Sequence, residues 1–544
     1  MFLNKRVLRF LLGISMVAVY TLVSGSESFE MNHSPQNLIF ELEGNVDAAH
    51  ARIYPYNYPV MQPQKRLKII NHGVEPVENI RLVINNSKNW YDFDSWHREI
   101  TQEGDTDLEK ALAIFWFFSY HSVHNCSVVP SLDPVLFINY SSFGCCPQMS
   151  AVLRYVFSSL EMPYRNSYAF GHSVNEYMID GMMRHLDTDI KVFYLDRDNL
   201  EPIGINEARS DPYLIKRVPH YFVYDPDLSF DPKVTHWHSS QKMASLYSRN
   251  HVKKEPVIDK LSLMESINIT LRKGESLEYL YDIAGRIKYF ELKAPDYKET
   301  FQKILMNGLW ETRLDFSDKN GYDYVELENL RNRGNNSDTG LTFIDPKTPA
   351  GISLSMKPAY PILGMDILLE AKGLQNIGLK LYSVENPKVQ KNISIIPGKW
   401  QNLDSSCSVF YPSQNYRLLF AFNPGSQMGN AVEKIIIRTY VQIARISAPE
   451  LKLGENEIVY SDTSPERNIE IQLQCEPITE YRPPQPPEKC FYPENGKTVH
   501  DSKITFKWKP ALDESGSEIK YYHFQLSDRR DMRFPLSPNF ERPL

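Results

Sequence analysis

The segment Gly144–Leu160 reads GCCPQMSAVLRYVFSSL: two adjacent cysteines, a proline, and then apolar residues at helical spacing. Proline is favoured at the first position of a helix, where its missing N–H would have no partner anyway. The spacing predicts a helix opening at Pro147, with Cys146 as its N-cap and Cys145 one residue outside. An N-cap faces unsatisfied backbone N–H groups and the positive end of the helix dipole, a setting that suits an anionic sulfur.

A nucleophilic thiol also needs a base, and a group that orients the base. The segment Gly171–Ile190, GHSVNEYMIDGMMRHLDTDI, carries Asp180-Gly181 between alternating residues, the strongest short signal of a tight hairpin. With that pair as the turn, Ile179 faces Met182, Glu176 faces His185, Val174 faces Asp187 and His172 faces Asp189. Strand side chains alternate, so His172, Val174, Glu176, His185, Asp187 and Asp189 share one face. Asp189 lies directly across from His172 and Asp187 lies diagonally, and either carboxylate serves to hold an imidazole tautomer.

Together these elements resemble the transglutaminase-like domain of the papain-like superfamily. Its pattern is Gly-x-Cys at a helix start, a Leu-Gly-Ile-Pro-x-Arg-like element, His-x-Trp-x-Glu, a turn, and an Asp. The matching residues are Gly144-Cys145-Cys146, Leu160-Glu161-Met162-Pro163-Tyr164-Arg165, His172-Ser173-Val174-Asn175-Glu176, Asp180-Gly181 and Asp187. The distance to Pro163-Tyr164-Arg165 fits Cys146 and is one residue too long from Cys145. The resemblance implies Cys146 as nucleophile, His172 as base and then acid, and Asp187, in preference to Asp189, as the orienting carboxylate. It covers Thr106 to Asp198, and it departs from the family at Val174, where Trp is common, and at Glu161, where Gly is usual. It further implies an α+β papain-like fold and acyl transfer through a thioester, by amide hydrolysis or transfer to an amine, with no cofactor.

Around this centre the chain is long, 544 residues, too long for one core. A net charge of −7 with 23% charged residues is mild, so neither nucleic acid nor an acidic membrane surface is indicated. Lys5, Arg6 and Arg9 precede the apolar run Phe10 to Val23, and small residues follow at Ser24 to Ser26. That order predicts a signal peptide over 1–25 and a secreted, periplasmic or cell-surface body, with no stable membrane span after its removal. The six cysteines, Cys126, Cys145, Cys146, Cys407, Cys475 and Cys490, are too sparse for a disulfide scaffold, although a Cys126–Cys146 bridge competes with a free thiol.

The expected architecture is multi-domain: a β-sandwich over 30–104, the transglutaminase-like domain over 105–257 and a β-rich sandwich region over 258–480. A proline linker over 481–489 and a partial fibronectin type III-like module over 490–544 complete it. In the second region Thr106 and Glu109 form a capping box before a helix. In the tail Phe506 and Trp508 are the inward set of one of two strands. The expected partner is a protein or peptide amide substrate. The competing function is a noncatalytic secreted binding protein, its papain-like part a scaffold and its sandwiches holding an extracellular polysaccharide or a cell-surface ligand. Lesser candidates are a metal pair at His236 and His238, calcium-loop fragments at Asp187-Thr188-Asp189 and Asp196-Arg197-Asp198, and sequons at Asn125, Asn139, Asn268 and Asn392.

Overall fold

A computed structural model describes residues 18–22, 25–42, 64–124, 132–216, 256–258, 265–281, 305–332, 340–475 and 492–512, apart from short gaps within those ranges. In chain order the first strands are β1 (Ala18–Leu22), β2 (Gly25–Met31), β3 (Gln36–Leu42), β4 (Gln64–Asn71) and β5 (Arg81–Ile84). A helical stretch follows with α1 (Phe93–Thr101), α2 (Asp107–His121), β6 (Val123–His124), α3 (Pro134–Tyr140), β7 (Phe143–Gly144) and α4 (Cys146–Ser159). Next come β8 (Tyr164–Ala169), β9 (His172–Ile179), β10 (Met182–His185), α5 (Ile205–Ser210) and α6 (Tyr213–Lys216). The remaining strands are β11 (Glu275–Leu280), β12 (Leu305–Asp315), β13 (Val325–Glu328), β14 (Leu330–Asn332), β15 (Leu341–Phe343), β16 (Ala350–Met356) and β17 (Ile362–Lys372). They continue as β18 (Ile377–Ser383), β19 (Gln390–Ile395), β20 (Gln401–Asn402), β21 (Tyr416–Phe422), β22 (Ala431–Ala444), β23 (Gly454–Ser461) and β24 (Ile469–Cys475).

The chain is mostly antiparallel β-sheet in several separate sheets, with few helices. The largest sheet has ten strands, in the order β14-β15-β22-β12-β11-β4-β24-β2, with β17 branching from β22 and β20 pairing with β17. A four-stranded sheet, β1-β3-β23-β5, shares one apolar core with the β4–β24 side of it, through Phe40, Leu67, Ile84, Tyr279, Tyr460 and Ile471. The five-stranded sheet β13-β16-β21-β18-β19 shares a second core with the β22 side, through Ile352, Leu381, Leu418, Ile435 and Ile437. Strand β22 runs through both: Val432 and Ile435 lie in the second core, Val441 and Ile443 in the first. Gly308 of β12, opposite Val441 in the antiparallel pairing with β22, leaves room for its neighbours, since a Cβ there would come 2.8 Å from both Ile443 Cδ1 and Val441 Cγ2.

Two of the expected segments pair with strands from elsewhere in the chain. The strands of 30–104 do not close on themselves: β3 and β5 flank β23, and β4 lies between β11 and β24. Edge strands need partners, and here β11 comes from the middle of the chain and β23 and β24 from much farther along it. Strand β1 lies inside the expected signal segment and pairs in parallel with β3, and β2 begins at Gly25 against Cys475. An apolar run containing Val19, Tyr20 and Thr21 suits a strand as well as a signal core. Residues 1–17 lie outside the described residues, as do the proline linker and the second strand of the tail. Phe506 and Trp508 are half-buried around Lys507, which bridges Tyr492, but no regular strand forms there among the described residues.

The third core is helical. Thr106 and Glu109 make the expected capping box on α2, with N–H to side-chain oxygen distances of 3.0 and 3.2 Å. Helices α1 and α3 are short and carry no strong sequence signature. Asp92 caps α1 by accepting from the Ser95 N–H at 2.8 Å and pairs with Arg81 of β5 at 2.6 Å. Trp96 then packs edge-on against Phe117 and Phe118. Helix α3 fastens this layer to the large sheet: Gln442 of β22 donates to the Tyr140 carbonyl at 2.7 Å, and the Tyr140 hydroxyl donates to the Ala359 carbonyl at 3.0 Å. Asn139 spends both amide hydrogens on the Trp90 and Val135 carbonyls, each at 2.8 Å, so this buried sequon cannot carry a glycan in the folded chain. Among the described residues no helix is long and apolar enough to cross a membrane.

Candidate cysteine, histidine and aspartate site

Helix α4 starts one residue earlier than its proline suggests. Cys145 is the N-cap, in extended conformation (φ −97°, ψ 178°), and Cys146 is the first helical residue. The Cys145 N–H donates to Gln148 Oε1 at 2.9 Å, and its carbonyl accepts from the N–H groups of Gln148 and Met149. The reason is that proline fits the second helical position as well as the first, because the N–H of neither position has an acceptor within the helix. The correction moves Cys146 inward by one position and leaves it in that first turn. Cys146 is half-buried and carries a free thiol, whereas the Cys145 side chain is buried. Cys126, the alternative disulfide partner, lies outside the described residues.

The base sits on β9, and two hydrogen bonds fix that strand to α4. Ser150, one turn beyond Cys146, donates from Oγ to the Ser173 carbonyl at 3.0 Å, beside His172. Asn175 returns the contact, donating from Nδ2 to the Ser150 carbonyl at 2.6 Å. Phe157 of α4 stacks on Tyr177 of β9 with ring centroids 3.7 Å apart. Neither Ser150 nor Asn175 belongs to a motif that announces this role. The available signal was an amide in line with Tyr177 and Ile179, on the face of β9 opposite His172.

The hairpin has the expected register near its turn, with Ile179 opposite Met182 and Glu176 opposite His185. Asp180 and Gly181 both have positive φ, 50° and 75°, as a tight two-residue turn of this type requires. The ladder then departs from the expectation. After His185 the chain turns to Ile203, and Asp187 exchanges backbone hydrogen bonds with Val192 at 2.9 and 2.8 Å. Val174–Asp187 and His172–Asp189 are therefore not ladder pairs, and both aspartates are delivered by a bend. Asp187 Oδ1 stabilises that bend by accepting from the Asp189 N–H at 3.1 Å.

The bend nevertheless brings the three expected residues together. His172 Nε2 lies 2.6 Å from Asp187 Oδ2, and its ring also hydrogen-bonds the Cys146 side chain. Asp189 is the more distant carboxylate, its Oδ2 3.9 Å from His172 Nδ1. Burial alone would lower the pKa of His172, but the Asp187 charge and hydrogen bond, the bond to Cys146 and the Asp189 charge hold it well above the ordinary value. His185, on the same hairpin, goes the other way: it is buried, stacks on Tyr194, and burial pushes its pKa down. Cys146, His172 and Asp189 are also one group of metal-capable donors, with one ligand atom from each lying within 4.8 Å of the others.

Glu176 anchors the back of the hairpin. It is fully buried, accepts from Arg165 Nε on β8 at 2.7 Å and from the Ile205 N–H at the start of α5 at 2.8 Å. Gly204 permits this approach, since a Cβ there would come 2.7 Å from the Met183 carbonyl and 3.0 Å from Glu176 Oε1. Val174 is buried. Asp196 accepts from the Leu200 N–H at 2.8 Å in a local loop, and His236 and His238 lie outside the described residues.

No protein-family model matches the chain. Comparison with curated proteins finds no match either.

Proposed function

We propose that the chain is an exported, transglutaminase-like cysteine enzyme of papain-like type, which forms a thioester on Cys146 and releases it to water or to an amine. The single observation behind this reading is the line of contacts from Asp187 through the His172 ring to Cys146. In the first step the Cys146 sulfur attacks the carbonyl carbon of an amide, and the thiol proton resides on His172. The carbon–sulfur bond forms as the carbonyl oxygen becomes an oxyanion. The Cys146 N–H, at the first helical position and so without an intrahelical acceptor, is the donor nearest that oxygen by chain position. His172 then returns its proton to the leaving amine as the carbon–nitrogen bond breaks. Asp187 on Nε2 leaves Nδ1 to the sulfur and supports the imidazolium that carries the proton between steps. Export is proposed on the order of basic, apolar and small residues over 1–25, and N-terminal sequencing of exported protein that begins near Ser26 tests it.

The enzyme reading is tested with iodoacetamide at neutral pH and mapping of the modified residue. Cys146 is expected to carry the label, Cys146→Ala to abolish it, and His172→Ala to slow it, while Cys145→Ala leaves most of it. Label on Cys145, or Cys146 recovered in a disulfide, overturns the reading. The binding-protein function, with this region as a scaffold, then takes its place.

A further inference from the structure

The donor set at the site is unusual for a plain acyl-transfer triad because it holds two carboxylates with different jobs. Asp187 is committed to His172 Nε2 at 2.6 Å. Asp189 sits on the other side of the ring, 3.9 Å from Nδ1, with its side chain only 4% exposed. The sulfur of Cys146 completes a group of three different donors, one nitrogen, one sulfur and one oxygen, within 4.8 Å of one another. A tetrahedral zinc ion, with bonds of about 2.0–2.3 Å, sets its ligand atoms roughly 3.3–3.8 Å apart. The nitrogen–oxygen pair, at 3.9 Å, is already close to that spacing, and the limit of 4.8 Å puts the other separations within about 1 Å of its upper end.

We propose that Cys146, His172 and Asp189 bind one zinc ion, which occupies the sulfur and so silences the acyl-transfer chemistry while it is bound. Three observations select this ion class. A mixed nitrogen, sulfur and oxygen set suits zinc, whereas calcium and magnesium take oxygen donors. A carboxylate on the far ring nitrogen is the usual outer partner of a metal-bound histidine, and Asp187 already holds that place. The half-buried position of Cys146 leaves one side of the group open for a fourth, exchangeable ligand. The inference rests on the proposed function only for its consequence, inhibition; the site itself rests on the three donors.

The test uses the full chain stripped of metal by a chelator, then titrated with Zn²⁺ alone against a chromophoric chelator, and with Co²⁺ alone in an absorption experiment. One equivalent of metal is expected, with a near-ultraviolet sulfur-to-cobalt band, and iodoacetamide labelling of Cys146 is expected to fall as zinc is added. Asp187→Asn is expected to weaken zinc binding by about 10–100-fold, the usual effect of losing an outer partner. Asp189→Asn is expected to weaken it by more, with the melting curve of each variant checked for folding. Should both variants fail to fold, wild-type protein alkylated at Cys146 is the remaining comparison, and it is expected to lose the site. Zinc affinity indifferent to Asp189→Asn or to alkylation, no stoichiometric binding, or a cobalt complex without the sulfur band overturns the inference. Zinc binding with these dependences in a protein whose metal-free Cys146 does not label leaves the site standing and removes the acyl-transfer reading. Labelling of Cys146 without zinc binding does the reverse.

Discussion

Strand β18 of the second sandwich and strand β9 of the hairpin have similar lengths and opposite burial. In β18 the residues alternate: Ile377, Leu379, Leu381 and Ser383 face the core, and Gly378, Lys380 and Tyr382 face outward. In β9 the consecutive residues Val174, Asn175, Glu176 and Tyr177 are all buried, because α4 covers one face and the bend that leads to α5 covers the other. A strand buried on one face is held by apolar packing. A strand buried on both faces that still carries an amide, a carboxylate and an imidazole is held by polar contacts, each of which must be made. The contrast teaches that errors in the sandwich should cost stability alone, while errors in the hairpin should cost stability and the geometry of Cys146 and His172 together.

The sharpest way to break that contrast is a pair of truncations. Glu176→Ala leaves Arg165 without its partner and the Ile205 N–H without its acceptor, and should cost about 3–5 kcal/mol. Leu418→Ala, fully buried in the second core, should cost about 2–5 kcal/mol through the cavity it leaves. Denaturant unfolding measures both losses. Iodoacetamide labelling of Cys146 separates them, slowing in the first variant and unchanged in the second. Equal labelling in both would mean that the hairpin does not position the thiol's partner.

A smaller effect sharpens the role of the turn. Gly181→Val forces a β-branched residue into φ near +75°, at a cost of roughly 1–2 kcal/mol for the left-handed conformation. No atom lies within 4 Å of the added Cβ, so the cost is conformational and not a clash. Slower labelling of Cys146 alongside the lost stability is expected, and a variant as stable as wild type would show that the turn tolerates another conformation.

The smallest effect is a difference of sign between two histidines on one hairpin. The folded pKa of His172 is raised above 6.5, so its contribution is fully present below that value and is lost as pH rises through the raised one. The folded pKa of His185 is lowered from 6.5, so its contribution is present above that value and is lost as pH falls through the lowered one. Against His172→Gln, wild type should lose margin toward alkaline pH. Against His185→Gln it should lose margin toward acid. Unfolding measured across that range checks both slopes, and slopes of the same sign would contradict the environments described.

Much of the local structure was legible because local chemistry decides it. The Thr106 and Glu109 box needs only four residues, the Asp180-Gly181 turn sets its own register for four pairs, and strands such as Ile377–Ser383 and Tyr416–Phe422 declare themselves by alternation. Helices α1 and α3 escaped notice because they are short, and their caps, Asp92 and Asp133, resemble ordinary turn residues. The start of α4 lies one residue before the position its proline suggests, because a proline near the start of a helix does not say which of the first positions it occupies.

By itself the sequence determined the elements that carry the candidate site, a helix beginning at paired cysteines and a hairpin with His172 on it, together with the alternating apolar strands of the sandwiches. Only the tertiary structure decided which strands meet. β2 and β3 pair with β24 and β23 from the other end of the chain, and one long strand, β22, joins two cores. It also decided how the two aspartates divide their work, because the bend after His185 breaks the simple count of opposite residues and turns Asp187 to one ring nitrogen and Asp189 toward the other. The physical reason is range. Capping, turn conformation and side-chain alternation act within a few residues, whereas the sandwich pairing joins strands hundreds of residues apart and the bend after His185 is set by contacts with Val192 and Ile203, which no local pattern encodes.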